Sequence, residues 1–220
     1  MFKSQKNVFW EALLVTILIF GIGILAGFFL ENMRTNQINS LFQQSEIDLL
    51  DIRLQNEIYS DLEFDCDIAI EENLNFANRI YEEAQKLEKY LEASRFSEEI
   101  ILQHKKYDLL RIMLLLNSEK IIQKCDDSYS EVVYFYNLET EELTAKAKQN
   151  VFSKILLEVK EKFGGKILLV PVGVSDEVSS INLILDKYNV SRQDLPVILI
   201  NQEIKITEVE NVDQIIAHLN

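Results

Sequence analysis

The first feature of the chain is an uncharged apolar stretch close to its start. Residues 12–30 contain no charged side chain, and this is about the length that a helix needs to cross the ~30 Å hydrocarbon core of a bilayer. A cleaved signal peptide has a shorter apolar region, of ~7–15 residues, that ends at a small-x-small site, whereas this one ends in FFL at 28–30. The pattern therefore predicts an uncleaved transmembrane anchor within residues 1–31.

Residues 32–128 have the pattern of a helical stalk followed by a helical hairpin. Residues 32–125 contain neither proline nor glycine, and Leu, Ile, Glu, Lys and Gln dominate. The stalk helix, about 34–59, carries a seam at three- and four-residue spacings made of Ile38, Phe42, Ser45, Leu49, Ile52 and Asn56. The polar Ser45 and Asn56 interrupt this seam. A coiled coil with a second chain and a partly exposed single helix are therefore equally good interpretations.

Two further helices, about 60–93 and 97–124, are predicted to form the hairpin around a turn at 94–97. The stripe predicted for the earlier helix consists of Leu62, Cys66, Ile70, Leu74, Ala77, Tyr81, Ala84 and Leu91. In the later helix, the run LLRIMLLL at 109–116 is too short to span a bilayer. We therefore expect this run to be buried between packed helices.

The chain has two cysteines, Cys66 near the start of the second helix and Cys125 at the end of the third. They lie at similar distances from the turn at 94–97, so antiparallel packing of the two helices brings the sulfurs to the same level. We predict a structural disulfide, which for a loop of about 60 residues contributes roughly 4 kcal/mol. Two buried free thiols and a redox-active pair are the alternatives.

The pattern changes after Cys125, where β-branched and aromatic runs alternate with helical spacing. The predicted strands are 132–136, 167–174, 195–201 and 203–209. The predicted helices are 139–163, 176–187 and 211–219. The element order over 129–220 is β-α-β-α-β-β-α, which gives the chain an α+β class with three parts: the anchor, the stalk and hairpin, and a C-terminal domain.

The charge balance argues against one class of partner and orients the anchor. With 36 acidic against 22 basic residues and a net charge of −14, the chain lacks the basic surface that nucleic acid requires. The basic residues Lys3 and Lys6 precede the apolar stretch, and Arg34 is the one basic residue that follows it closely. We therefore expect a cytoplasmic N-terminus and an extracytoplasmic body in the cell membrane, where a disulfide persists. A body that faces the cytoplasm is the alternative.

Several short motifs are weak on their own. Gly23 and Gly27 form a G-x-x-x-G pair, so a homodimer through this pair or through the stalk helix is one interpretation. Asn189 begins a glycosylation sequon. The acids at 65, 67, 126 and 127 could hold a cation at the hairpin end, although a solvated acidic surface explains them as well. No residue pattern predicts a metal centre, a cofactor site or a catalytic group.

The C-terminal element order resembles the thioredoxin fold, and three segments are similar to parts of it. KFGGKILLVPVGV resembles the passage from the first helix to the second strand, and LILDKYNV resembles the helix before the third strand. LPVILIN resembles the segment in which a cis proline precedes that strand. The resemblance implies that Pro196, preceded by Leu195, is this proline. In the family it faces the redox pair and borders a groove for extended peptides.

The chain departs from that family at the redox position. Thioredoxin-like proteins place C-x-x-C at the amino end of the first helix, where the helix dipole and free N–H groups stabilise a thiolate. Here that position falls at about 142–146, and Leu143 and Lys146 stand where the cysteines would be. The resemblance therefore implies a membrane-anchored, redox-inactive binding or scaffold protein of a prokaryotic envelope, with another envelope protein as its partner. An envelope thiol-disulfide redox protein that uses Cys66 and Cys125 is the alternative.

Overall fold

The structure of the protein is a computed structural model. It describes residues 5–93, 98–125, 129–138, 140–175 and 177–219, without the side chains of 5–8, 34–35, 37–39, 41–42, 86–93 and 98–101. Several positions used above therefore lie outside the described residues or side chains: Lys3, Lys6, Arg34, Ile38, Phe42, Leu91, the turn at 94–97, Asp126 and Asp127. The chain divides into two compact units, Met1–Gln44 and Ser45–Asn220.

The first unit is the apolar part of helix α1, which runs over Gln5–Asp61. Within it, Phe9–Met33 is long and apolar enough to cross a membrane by length and composition. Its large apolar side chains are exposed, and a Cβ added at Gly23 or Gly27 would meet no atom within 4 Å. The predicted anchor is therefore present as a candidate span, and its orientation and its role in a homodimer stay predictions.

The second unit begins with the last part of α1, which packs against α2 (Cys66–Ala93) and α3 (Glu98–Lys124). Gln103 donates to Ser45 Oγ at 3.2 Å, and Asn56 donates to Asn117 Oδ1 at 2.7 Å. Ile52 is fully buried in the same core. The described part of the predicted stalk seam thus packs against the chain's own hairpin, with Ser45 and Ile52 buried and Leu49 and Asn56 partly buried.

The buried line of α2 lies to one side of the predicted stripe. It consists of Ala69, Asn73, Phe76, Ile80 and Glu83. The predicted Ile70, Leu74 and Ala77 are partly buried against the same core, whereas Leu62 and Tyr81 are 57% and 38% exposed. The polar members explain the error, because Asn73 donates to the Tyr129 hydroxyl at 2.5 Å and Glu83 accepts from Tyr107 at 3.3 Å. Two buried polar positions break the apolar spacing on which the prediction rested.

A four-stranded sheet follows the hairpin. Its strands are β1 (Ser130–Asn137), β2 (Ile167–Val174), β3 (Val197–Ile200) and β4 (Ile204–Ile206). Their order across the sheet is β2-β1-β3-β4, with β1 parallel to β2 and β3 antiparallel to both β1 and β4. The class is therefore α+β with a small mixed sheet.

Helices cover both faces of the sheet. One core joins α1, α2 and α3 to the strands and to α5 (Ser179–Lys187), and its sheet residues include Val133, Val170 and Leu199. The other core joins the strands to α4 (Leu143–Phe163) and α6 (Asp213–Ile216). The hairpin and the strands share one core within the unit Ser45–Asn220, and the domain boundary at 128/129 stays a prediction.

The C-terminal elements follow the predicted order with shifted ends. Helix α4 starts at Leu143 and not at 139, because Glu142 is extended, with φ −70° and ψ 121°. The fourth strand and the last helix are shorter than predicted. The run at 109–116 is buried as expected, with Leu110 and Leu115 fully inaccessible.

Candidate functional site

The predicted disulfide is present between Cys66 and Cys125, which are separated by 59 residues. It joins the start of α2 to the end of α3 and closes the open end of the hairpin. Asp65 beside it caps α2, since its Oδ1 accepts from the backbone N–H of Asp67 at 3.0 Å and of Ile68 at 3.2 Å. Within the described residues, no group of three or more potential ligands could hold a metal ion.

The position of the missing redox pair is the exposed start of α4. Leu143 is 81% exposed, and Lys146 is exposed one helical turn later, with its N–H bonded to the Glu142 carbonyl at 3.0 Å. The Thr144 hydroxyl donates to the Glu142 carboxylate. This surface has no group capable of disulfide exchange, as the sequence implied.

Pro196 lies just before β3, and the Leu195–Pro196 peptide bond is cis. The proline itself is buried, and Leu195 is partly buried against the hairpin core. Neither residue lines the cleft described next. The peptide groove expected beside Pro196 stays a prediction, and the cleft described next is a different surface.

A cleft of about 430 Å³ opens beside β2, which is an edge strand. Helices α2 and α4 form its walls. Its lining is largely aromatic and apolar, with Arg111 as its charged member: Tyr81, Ala84, Gln85, Arg111, Tyr134, Tyr136, Gln149, Asn150, Ser153, Leu156, Leu157, Leu169 and Pro171. The volume falls in the range of about 300–1,000 Å³ that is usual for ligand sites.

Arg111 is held at the cleft by a buried carboxylate. Its Nη1 donates to Asp108 Oδ1 at 3.1 Å, and the same oxygen accepts from the Gly173 N–H at 2.9 Å. Burial raises the pKa of Asp108 to about 6, while Arg111 and the Gly173 N–H oppose the rise. A Cβ at Gly173 would stand 2.8 Å from Asp108 Oδ2, so only glycine leaves room for this carboxylate.

The outer edge of β2 is largely blocked against a further strand. Asp108 occupies the Gly173 N–H, Lys160 Nζ donates to the Ile167 carbonyl at 3.2 Å, and Pro171 has no N–H. Ile167, Pro171 and Gly173 are separated by even numbers of residues, so their backbone groups point to the same edge of the strand. Leu169 is the remaining outward position, and no side chain in the described chain binds its N–H or C=O. The cleft therefore suits a side chain or a short segment better than an added strand.

A second buried acid lies at the start of β1. Glu131 is fully buried, and neither carboxylate oxygen accepts a hydrogen bond from the described residues. Burial raises its pKa to about 7, with the Glu119 carboxylate adding to the rise and Ser118, Gln202 and Lys187 opposing it. Nearby, Glu119 accepts from Lys187 and from the Tyr188 hydroxyl. Sequence reasoning missed this cluster and the Asp108–Arg111 pair, because both depend on contacts between distant segments.

The remaining predicted site residue, Asn189, is exposed just after α5, at a positive φ of 52°. Its carbonyl accepts from Lys205 at 2.6 Å. No protein-family model matches the chain, and no curated protein or solved structure is significantly similar to it. Conclusions about function rest on the geometry alone.

Proposed function

We propose that the chain is a membrane-anchored, redox-inactive binding protein that holds a segment of an envelope protein in the cleft beside β2. Its C-terminal half is thioredoxin-like, and its body faces outside the cytoplasm. The cleft carries this proposal, because it is a concave, aromatic-lined surface in a chain whose redox position holds Leu143 and Lys146.

The thioredoxin-like part of the proposal rests on topology. The element order β-α-β-α-β-β-α is the one on which the resemblance rests, and its strands form one sheet in the order β2-β1-β3-β4, with one parallel and two antiparallel pairings. Helices α4 and α6 share one face of the sheet, while α5 covers the other. The cis bond before Pro196 is a further point of agreement.

The chemistry of the cleft favours an apolar or aromatic segment. Tyr134 and Tyr136 are stacked with their ring centroids 5.3 Å apart, and Leu156 and Leu157 stand beside them. Aromatic side chains give large contact area with few rotatable bonds. The Arg111 guanidinium has five donors and interacts with Asp108 and Tyr136, so its remaining donors can bind a backbone carbonyl of the guest segment.

The test is site-specific photo-crosslinking in native membranes with the full chain. A photoreactive residue replaces Leu157, which lines the cleft and is 42% exposed. The matched control replaces Leu183, which is 71% exposed on α5 and lies outside the cleft. We expect one envelope protein to be captured from Leu157 and not from Leu183.

The affinity of the captured segment for purified full chain then measures the cleft directly. Leu157→Arg should weaken binding roughly tenfold, the effect of losing about 1.4 kcal/mol at one buried contact. Leu183→Arg should leave the affinity unchanged. Equal capture from both positions, or an affinity that Leu157→Arg does not change, would remove the cleft from the proposal.

The redox alternative has its own discriminating result. Cys66 is half-buried and lines a small pocket with Phe64 and Lys124. If Cys66 and Cys125 act as a redox pair, their potential should lie above about −300 mV, and a Cys66→Ser/Cys125→Ser variant should lose the partner. For a binding protein with a structural disulfide, we expect a lower potential and retained capture.

A further inference from the structure

The outer edge of β2 has one residue whose backbone N–H and C=O are both open to the cleft. Leu169 is partly buried and lines the cleft. Its backbone groups point away from β1, because an even number of residues separates it from Gly173, whose N–H bonds outward to Asp108. Neither the N–H nor the C=O of Leu169 forms a hydrogen bond with the described residues.

On either side of Leu169 the same edge is blocked. Two residues before it, the Ile167 carbonyl accepts from Lys160 Nζ at 3.2 Å. Two residues after it, Pro171 has no N–H, although its carbonyl can still accept a hydrogen bond. Two residues farther along, the Gly173 N–H is already bound. A peptide that reaches this edge therefore finds one complete pair of donor and acceptor, at Leu169.

The chemistry of this pair selects a peptide in an extended conformation. An extended peptide presents an N–H and a C=O along one edge, at the spacing that the edge of a strand requires. A helix has no such pair to offer over most of its length, because its N–H and C=O groups bond to one another. The walls of the cleft, α2 and α4, then contact the guest side chains on either side of the paired residue.

We propose that the guest segment is held in an extended conformation by one backbone bridge to Leu169. One guest N–H donates to the Leu169 carbonyl, one guest carbonyl accepts from the Leu169 N–H, and the Pro171 carbonyl can take one further guest N–H. This inference rests on the proposed function and describes its partner more closely. The guest is an exposed loop or a chain end of the envelope protein, and neither a helix nor a strand that pairs along the whole edge of β2.

The probe for the experiment is a short linear peptide, selected from a random library on the purified full chain in detergent micelles. A selected peptide is kept only if Leu157→Arg abolishes its binding, since Leu157 lines the cleft. If no selected peptide depends on Leu157, the proposed function fails and this inference fails with it.

The protein variants remove the Leu169 N–H and the Leu169 side chain separately. Leu169→Pro removes the N–H and should keep the strand, because Pro171 already occupies an equivalent outward position on this edge. Leu169→Ala is the matched control, since it shortens the side chain and keeps the N–H. We expect Leu169→Pro to weaken peptide binding about tenfold, because one guest carbonyl loses its donor, and Leu169→Ala to have a clearly smaller effect. An equal loss in both variants, or no loss in Leu169→Pro, would overturn the proposal.

Changes in the peptide test the same bridge on the natural chain, so this test does not require Leu169→Pro to fold. Each peptide residue is replaced in turn by its N-methyl form, which removes one backbone N–H and keeps the side chain. We expect one position to lose about tenfold in affinity, with at most one more sensitive position two residues away, opposite the Pro171 carbonyl. No sensitive position would overturn the proposal, and so would three or more, because a helix or a longer paired strand depends on several N–H groups. A peptide that fails this test but still depends on Leu157 leaves the cleft as the binding site, so the two proposals can fail separately.

Discussion

Carboxylates are buried where α3 meets the sheet in two places, and their partners differ. Beside β2, Asp108 has a cation and a backbone donor, since Arg111 and the Gly173 N–H both bind its Oδ1. Beside the start of β1, Glu119 takes Lys187 and Tyr188, and Glu131 is left without a hydrogen bond from the described residues. Asp108 therefore balances a buried cation, whereas Glu131 is a buried acid with no ion pair, and only the weaker influences of Ser118, Gln202 and Lys187 oppose the rise of its pKa.

This difference predicts opposite consequences of removing the charge. A buried ion pair that loses one member leaves an uncompensated charge, which is strongly destabilising. A buried acid without a partner destabilises the fold whenever it ionises, so neutralising it should stabilise the protein. Substitutions at the two places therefore test whether the comparison is correct.

The largest effect is expected from Asp108→Ala. The change strands the Arg111 guanidinium, of which only 10% is exposed, and leaves the Gly173 N–H without its acceptor. We expect the free energy of unfolding to fall by about 3–5 kcal/mol. Urea unfolding of the full chain in detergent micelles, with the Cys66–Cys125 disulfide intact, measures it.

The double variant Asp108→Leu/Arg111→Met is the control for that prediction. Replacing both members by apolar residues of similar size is often neutral, because no charge is left buried. We expect it to recover most of the lost stability. If the double variant is as unstable as Asp108→Ala, the damage comes from packing, and the charge argument for this site is wrong.

The next effect is the pH dependence contributed by Glu131. Because burial raises its pKa from 4.5 to about 7, the folded state binds the proton more tightly than the unfolded chain. Its contribution to stability is therefore complete below about pH 4.5 and is lost as pH rises to about 7. Glu131→Gln should remove this loss, so that at pH 8 it is more stable than the natural chain by up to about 3 kcal/mol.

Unfolding midpoints at pH 4.5, 6 and 8 test this expectation for Glu131→Gln. The difference from the natural chain should be small at pH 4.5 and should grow to a plateau above about pH 7. Glu208→Gln, on an exposed acid after β4, serves as the control and should give no such trend. A constant difference at all three pH values would mean that Glu131 is not the titrating group.

Local patterns predicted the parts of this molecule that depend on neighbouring residues. The uncharged run gave the candidate span, and the element order after Cys125 followed from strand and helix spacing. The disulfide was predictable because Cys66 and Cys125 stand at matching distances from the hairpin turn. The disulfide prediction needed one assumption, that the two helices pack antiparallel, and this is a common arrangement of helices joined by a short turn.

The buried polar groups were not predictable in the same way. In the sequence, Asp108 is an ordinary charged residue of a helix and Glu131 an ordinary charged residue at the start of a strand. Their neighbouring residues do not indicate that Asp108 contacts Gly173 or that Glu131 lies near Ser118. The fully buried line of α2 lies beside the predicted stripe, whose Ile70, Leu74 and Ala77 are partly buried, because Asn73 and Glu83 are inside the core. The cleft arises where α2, α4 and an edge strand meet, so it follows from the fold as a whole.

Gly173→Ala is a further test of the Asp108 site, with a smaller expected effect on the free energy of unfolding. The new methyl would stand 2.8 Å from Asp108 Oδ2 and 3.2 Å from the Tyr136 hydroxyl. Overpacking of this kind costs about 1–3 kcal/mol. Adding Asp108→Ala should make Gly173→Ala much less damaging, since the close atom is gone, and a double-mutant cycle of unfolding free energies measures that coupling.

The smallest effect is expected from Tyr188→Phe at the second place. Its hydroxyl donates to Glu119, which keeps Lys187 as a second partner, and burial raises the pKa of Tyr188 above its ordinary value. The loss of one of two donors should lower the free energy of unfolding by about 1 kcal/mol, with no dependence on pH between 5 and 8. Chemical denaturation of the purified full chain at both pH values measures it. A loss as large as that of Asp108→Ala would show that Glu119 depends on its donors as strongly as Arg111 depends on the Asp108 carboxylate. The two places would then differ only at Glu131.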